Sequence, residues 1–318
     1  MRTARILLGC VLLLVGGTSD DRSIAAGTLE AGGVIEAVGP GQVNWSAGMI
    51  MATGQGAPPA NATGAAQSRM MAERAAKVDA YRNLLETVKG VRVDAATLVE
   101  NMMVSSDVIK VKVEGVVKGA RVLKTSQQPD GGAEVVLGIP LTGDLVDVVL
   151  PRNFGRAPAG APFRAEPTPK VPSGAPPAPV PAPAIPQAPA QTPAPPQPVL
   201  EAPAGEKFTG LLVDARGLGA RPAMAPKLLD EQGKELYATG VLDRDKAIEA
   251  GIAGYTKDLV AGSKQPRVTD NPLIVKGVRA GGEKNTDVTL NAEDTKRLSQ
   301  AEAAGQFLRQ GRVVFVVD

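Results

Sequence analysis

The sequence predicts an α+β protein: two small domains, each mixing helices and strands, joined by a proline- and alanine-rich linker. Three observations lead there. Residues 158–203 hold 17 of the chain's 27 prolines. The stretches on either side, residues 33–151 and 206–318, are each of single-domain size. Within both, short alternating apolar runs mix with helical three- and four-residue spacings.

The linker, residues 152–205, is taken first because it divides everything else. Proline fixes φ and has no amide donor, so this run is excluded from helix and from central strand. It reads as a disordered segment of polyproline II character. Fully extended, residues 158–203 would reach roughly 140 Å at about 3.1 Å per residue. Such a spacer is expected to hold two compact pieces apart.

At the N-terminus, Arg2 and Arg5 precede the apolar run from Ile6 to Val15. Small residues follow, and Ser23-Ile24-Ala25 fits a small-x-small cleavage site. This is the layout of a signal peptide over residues 1–25. Leu7-Leu8-Gly9-Cys10 also matches the lipobox pattern, which makes Cys10 a candidate for acylation. Against that, only three apolar residues precede Cys10 and the run continues past it, which suits a plain signal peptide that discards the cysteine. The expected location is exported, periplasmic or outer-membrane-associated, with no transmembrane helix in the mature chain.

Composition removes several functional classes. The chain contains no histidine, so Ser-His and Cys-His catalysis, His-ligated zinc and His-based pH switches are excluded. With 35 basic and 33 acidic residues, the charge balance carries no footprint for nucleic acid. A single cysteine permits no intrachain disulfide.

The first domain opens with strands at Val34–Val38 and Val43–Ser46 around Gly39-Pro40-Gly41, and a third at Met49–Ala52. Gln67–Lys89 is the best helix: Met71, Ala75, Val78, Leu85 and Val88 line one side and predict its inner face. Gly90 ends it. Val91–Val93 alternates, and Thr97–Met103 is strand-like. Ser106 and Asp107 can cap a helix running past Gly115, although Ile109–Val113 also alternates like a strand. A hairpin pairs Arg121–Ser126 with Glu134–Ile139 across Pro129-Asp130-Gly131-Gly132. Leu141–Leu150 closes the domain as a helix. Tyr81 and Trp45 are expected in the core.

In the second domain, Phe208–Arg216 is a strand leading into Gly217-Leu218-Gly219. That loop begins like a dinucleotide fingerprint and fails, because the third glycine is missing and Pro222 sits where a helix should start. Lys227–Leu229 and Lys234–Tyr237 form a hairpin. Asp243 caps a helix expected over Arg244–Leu259, with Ala247, Ile248, Ile252 and Tyr255 inward. Strands follow at Leu273–Val278 and Asp287–Leu290. Asn291 caps a helix reaching towards Arg309, and Arg312–Asp318 is apolar enough to be a central strand covered on both faces.

Residues Arg74 to Leu84, Lys89 to Asp94, Ser106 to Ile109 and Val117 to Val122 together resemble the signature of the Lpp-twenty lipoprotein family. The same stretch is similar to the N-terminal domain of flagellar assembly protein T. The resemblance spans about residues 33–150. It implies a small α+β domain, a periplasmic or outer-membrane setting and no known catalysis, and it favours helix after Ser106. No family resemblance attaches to the second domain.

These readings converge on a non-catalytic bacterial envelope protein acting as a tether or assembly factor, with surface or flagellar structures as one context. Its expected partners are envelope proteins or outer-membrane or peptidoglycan components, and no cofactor or metal is expected. Asp214, Arg216 and Asp270 are the candidate interaction or cleft residues. The alternative is an enzyme acting on envelope carbohydrate or peptide through paired carboxylates such as Asp214 and Asp270, which would have to lie about 5 to 9.5 Å apart.

Overall fold

The computed structural model describes residues 33–61, 64–150 and 207–318. The segment read as a signal peptide, Cys10 and the linker lie outside the described residues. Residues Gly32–Asp318 group as a single unit.

The first half is a five-stranded antiparallel sheet backed by helices. Its strands are β1 (Ile35–Val38), β2 (Gly41–Asn44), β3 (Met49–Gly56), β4 (Arg121–Gln127) and β5 (Ala133–Pro140), in the order β1-β2-β3-β5-β4. The helices are α1 (Ala65–Lys89), α2 (Val99–Ser105), α3 (Asp107–Lys118) and α4 (Asp144–Val149). Thr97–Met103, read as strand-like, is mostly α2. The Ile109–Val113 ambiguity resolves to helix, with the Ser106 hydroxyl accepting from the Ile109 amide at 3.4 Å. Helix α4 is shorter than expected because Leu141 and Thr142 bend into a turn at Gly143, whose φ is +66°, and the helix begins only at Asp144.

The largest departure concerns α1. Its core face is Ala72, Ala76, Ala80 and Leu84, while Met71, Ala75 and Val78 face solvent. The cause is close packing against β3. A Cβ built on Gly54 would lie 2.0 Å from the Ala80 nitrogen, and one on Gly56 would lie 2.1 Å from the Ala72 carbonyl oxygen. Only a glycine on the strand facing alanines on the helix permits that approach, because any Cβ there collides with backbone. The small residues carry little hydropathy, so the larger ones on the outer side dominated the periodicity.

The second half is a seven-stranded mixed sheet. Its strands are β6 (Gly210–Asp214), β7 (Leu228–Leu229), β8 (Glu235–Tyr237), β9 (Gly254–Thr256), β10 (Pro272–Gly281), β11 (Asp287–Leu290) and β12 (Val313–Val316). The order is β8-β7-β11-β10-β6-β12-β9, with β10, β6, β12 and β9 parallel. Strand β12 is internal and fully buried, as its unbroken apolar run predicts. Three helices complete the half: α5 (Arg244–Ala250), α6 (Leu259–Ser263) and α7 (Ala292–Gly305).

The long helix expected over Arg244–Leu259 does not form. Gly251 at φ +79° stops α5, and Tyr255 then lies in β9. Ile252 and Tyr255 are buried as expected, but from strand and loop. Helix α7 likewise ends at Gln306 in the left-handed region, so Phe307 packs from the turn beyond it.

The expectation that the two halves stand apart is not what the structure shows. A single hydrophobic cluster runs through both, from Ile50, Leu137 and Leu145 to Leu211, Tyr255 and Phe315. Backbone bonds stitch the seam: Met224 and Ala225 amides donate to the Arg92 and Val93 carbonyls at 3.0 and 2.7 Å, and the Gly143 amide donates to the Ile248 carbonyl at 2.7 Å. The faces that meet are made from turns and short strands, whose complementarity no local periodicity encodes.

Candidate functional site

Two places concentrate polar groups. One is the carboxyl end of the parallel strands, where open α/β sheets commonly bind ligands. Asp214 ends β6 and its carboxylate takes a two-pronged contact from Arg216, at 2.8 Å to Nε and 2.7 Å to Nη2. That hydrogen bond, with burial opposing it, holds the Asp214 carboxyl below its ordinary range. The Asp318 carboxylate accepts from the Gly217 amide at 2.9 Å, which ties the end of the chain to the glycine loop. Gly217 and Gly219 both have positive φ, so the loop is a tight turn and no helix N-terminus follows to receive a phosphate.

Asp270 is not part of this end. It lies two residues before the start of β10, and Pro272 pairs with Gly210 while Lys276 pairs with Asp214. Four strand steps of about 3.3 Å separate those two registers, roughly 13 Å. Asp214 and Asp270 therefore sit at opposite ends of the sheet, beyond the spacing of a two-carboxylate site. Asp287 is elsewhere again, buried beside Thr286 near the seam. Among the described residues, no group of three or more His, Cys, Asp or Glu is arranged to hold a metal.

The second place is the seam itself, and the sequence did not flag its central residues. The Glu36 carboxylate on β1 accepts from Arg92 Nη1 at 2.9 Å, from Arg92 Nη2, from Arg221 Nη2 at 2.7 Å and from Trp45 Nε1 at 3.3 Å. Arg92 also donates through Nε to the Pro222 carbonyl at 2.8 Å. One guanidinium thus joins a strand of the first half to a loop of the second, and a second guanidinium closes the set from the other side. Burial pushes the Glu36 carboxyl up, but the hydrogen bonds and charges of the two arginines outweigh it and hold it below its ordinary value.

Trp45 completes the arrangement. Its ring meets Tyr255 edge-on, centroids 5.7 Å apart, and Arg92 lies 6.0 Å from the indole centroid. Tyr255 stacks on Phe315, and its hydroxyl donates to the Ala223 carbonyl at 2.8 Å. The expectation of a buried tryptophan holds, yet it is buried against the other half. Arg244 contributes a peripheral pair, 2.6 Å from Asp147. A buried arginine–carboxylate pair spends its hydrogen bonds on position, and a seam so satisfied fixes two bodies in one geometry. The only signals for it in the sequence were Arg92, a charge at the centre of an apolar triplet, and Trp45, the lone tryptophan.

Comparison with known families bears on both halves. Residues 57–140 match the family model of the LPP20 lipoprotein. This lies within the stretch whose motifs resembled that family. Residues 210–318 match the model described as Treponema pallidum Tp0624, second domain. That match covers the half to which no resemblance had been assigned. No curated protein matches the chain. No helix among the described residues is long and apolar enough to cross a membrane.

Proposed function

We propose that this is a non-catalytic component of the bacterial cell envelope, exported and held there as a docking or assembly factor. The observation that carries the reading is the match of residues 57–140 to a lipoprotein family; an N-terminal run laid out like an export signal supports it. The seam refines the tether idea. Because the described halves pack together, they are taken to present their surfaces to partners as one body. The pair that suggested a carboxylate enzyme, Asp214 and Asp270, is divided between two ends of a sheet.

Fractionation of cells expressing the full chain tests the reading, alongside a Cys10→Ser variant. Recovery of a processed protein outside the cytoplasm supports it. Membrane association that Cys10→Ser abolishes identifies Cys10 as an acylated anchor. Membrane-independent recovery in the periplasm identifies a plain signal peptide. Unprocessed protein confined to the cytosol overturns the proposal.

A further inference from the structure

Helix α1 has two apolar sides, and one of them has no partner among the described residues along most of its length. Met71, Ala75, Val78 and Leu85 recur at helical spacing on the side away from the sheet, and Val78 is 54% exposed. Ordinary surface helices put polar residues there. The charges set within this stripe are Arg74 and Arg82, both exposed. No acidic residue lies on it. Towards its C-terminal end the stripe runs into a groove of about 410 Å³ between α1 and α3, floored by Tyr81, Leu85 and Val117 and edged by Arg82 and Lys118, with Glu114 the single acid among its lining residues.

We infer that this stripe and groove are a docking face for an acidic amphipathic helix of a partner protein. The inference rests on the docking role proposed above and names the chemistry of the partner. From Met71 to Leu85 the stripe is roughly 21 Å long, the length of four helical turns. Apolar anchors at these steps are what a helix laid in a groove reads. Arg74, Arg82 and Lys118 outnumber the one acid, Glu114, so the net charge around the anchors is positive and selects acidic flanks on the partner. A second copy of this chain fits poorly: parallel pairing sets Arg74 against Arg74, and antiparallel pairing about Val78 sets Arg74 against Arg82. A flat bilayer fits poorly too, because the stripe is narrow, carries no Trp or Phe, and ends in a concavity.

The test places a photo-crosslinking amino acid at position 78 of the full chain in living cells, with position 231 on an exposed turn of the other half as control. Peptide mapping of the adduct should find an acidic helical segment of another protein, from position 78 and not from 231. The Arg74→Glu/Arg82→Glu double variant, its fold checked by circular dichroism, should lower the adduct yield at least tenfold. An adduct to lipid, to a second copy, to another part of the same chain or to a basic segment overturns the inference, as does no adduct at all. If the protein is found in the envelope but yields no adduct, the docking face alone fails. If an acidic helix is captured from a cytosolic protein, the envelope reading alone fails.

Discussion

Replacing Glu36 by Gln should weaken the seam by an amount the structure lets one estimate. The carboxylate receives two bonds from Arg92, whose residue is 7% exposed, and one each from Arg221 and Trp45. Losing one partner of a buried ion pair costs about 3–5 kcal/mol, because the other charge stays buried. Arg92 keeps its bond to the Pro222 carbonyl, and an amide oxygen still accepts one bond, so the lower end, about 3 kcal/mol, applies. Arg221, whose side chain is 56% exposed, adds less than about 1 kcal/mol. About 3 kcal/mol is two decades in a docking equilibrium. Trp45, the single tryptophan, packs on Tyr255 across the seam, so its emission reports docking directly. In guanidinium titrations the unaltered protein should show coincident fluorescence and far-ultraviolet dichroism transitions. Glu36→Gln should shift the fluorescence transition to lower denaturant, ahead of the dichroism. An unmoved fluorescence transition would refute the assignment of Glu36 as the lock.

Three further expectations follow from the same geometry. Acid should loosen the seam: the Glu36 carboxyl titrates below its ordinary value of 4.5, so its contribution is present above that value and lost as pH falls through the folded-state pKa; Glu36→Gln should flatten this acid limb of a stability–pH curve. Asp287 has the opposite sign, since burial raises its carboxyl above the ordinary 3.8 and its charge costs stability at neutral pH. Asp287→Asn should leave the melting temperature at pH 7 unchanged or higher, and a marked drop would contradict the argument. Gly54→Ala should disrupt the first half outright, because its Cβ would meet the Ala80 nitrogen at 2.0 Å, whereas Gly251→Ala should cost about 1–3 kcal/mol through its +79° φ alone; calorimetry separates the two.

What the sequence reveals here tracks how local the cause is. The Pro129–Gly132 hairpin, the Ser106 and Asn291 caps and the central β12 were readable because a few adjacent residues determine each. The interior face of α1 was not, since its depth depends on Gly54 and Gly56 twenty residues away in the chain, and alanine gives almost no hydropathy signal. The same blindness hid the exposed stripe: the residues that looked like core are the ones on the outside. The helix expected over Arg244–Leu259 stops early because Gly251 takes a positive φ, which the apolar spacing on either side of it does not reveal. At the candidate sites, the pattern put Asp214 near a strand end, where β6 finishes, but could not say that Asp270 belongs to the other end of the sheet. The Glu36–Arg92–Arg221 set spans 185 positions, and only the assembled fold brings it together.

The central claim is that the two halves are one body and the proline-rich segment does not keep them apart. It is tested most directly by inserting a specific protease site within residues 158–203, cutting the purified protein to completion and running it under native conditions on a sizing column. The account predicts that both fragments elute together at the position of the uncut protein, with Trp45 emission unchanged. Two separate peaks of half the size, with shifted emission, would contradict it.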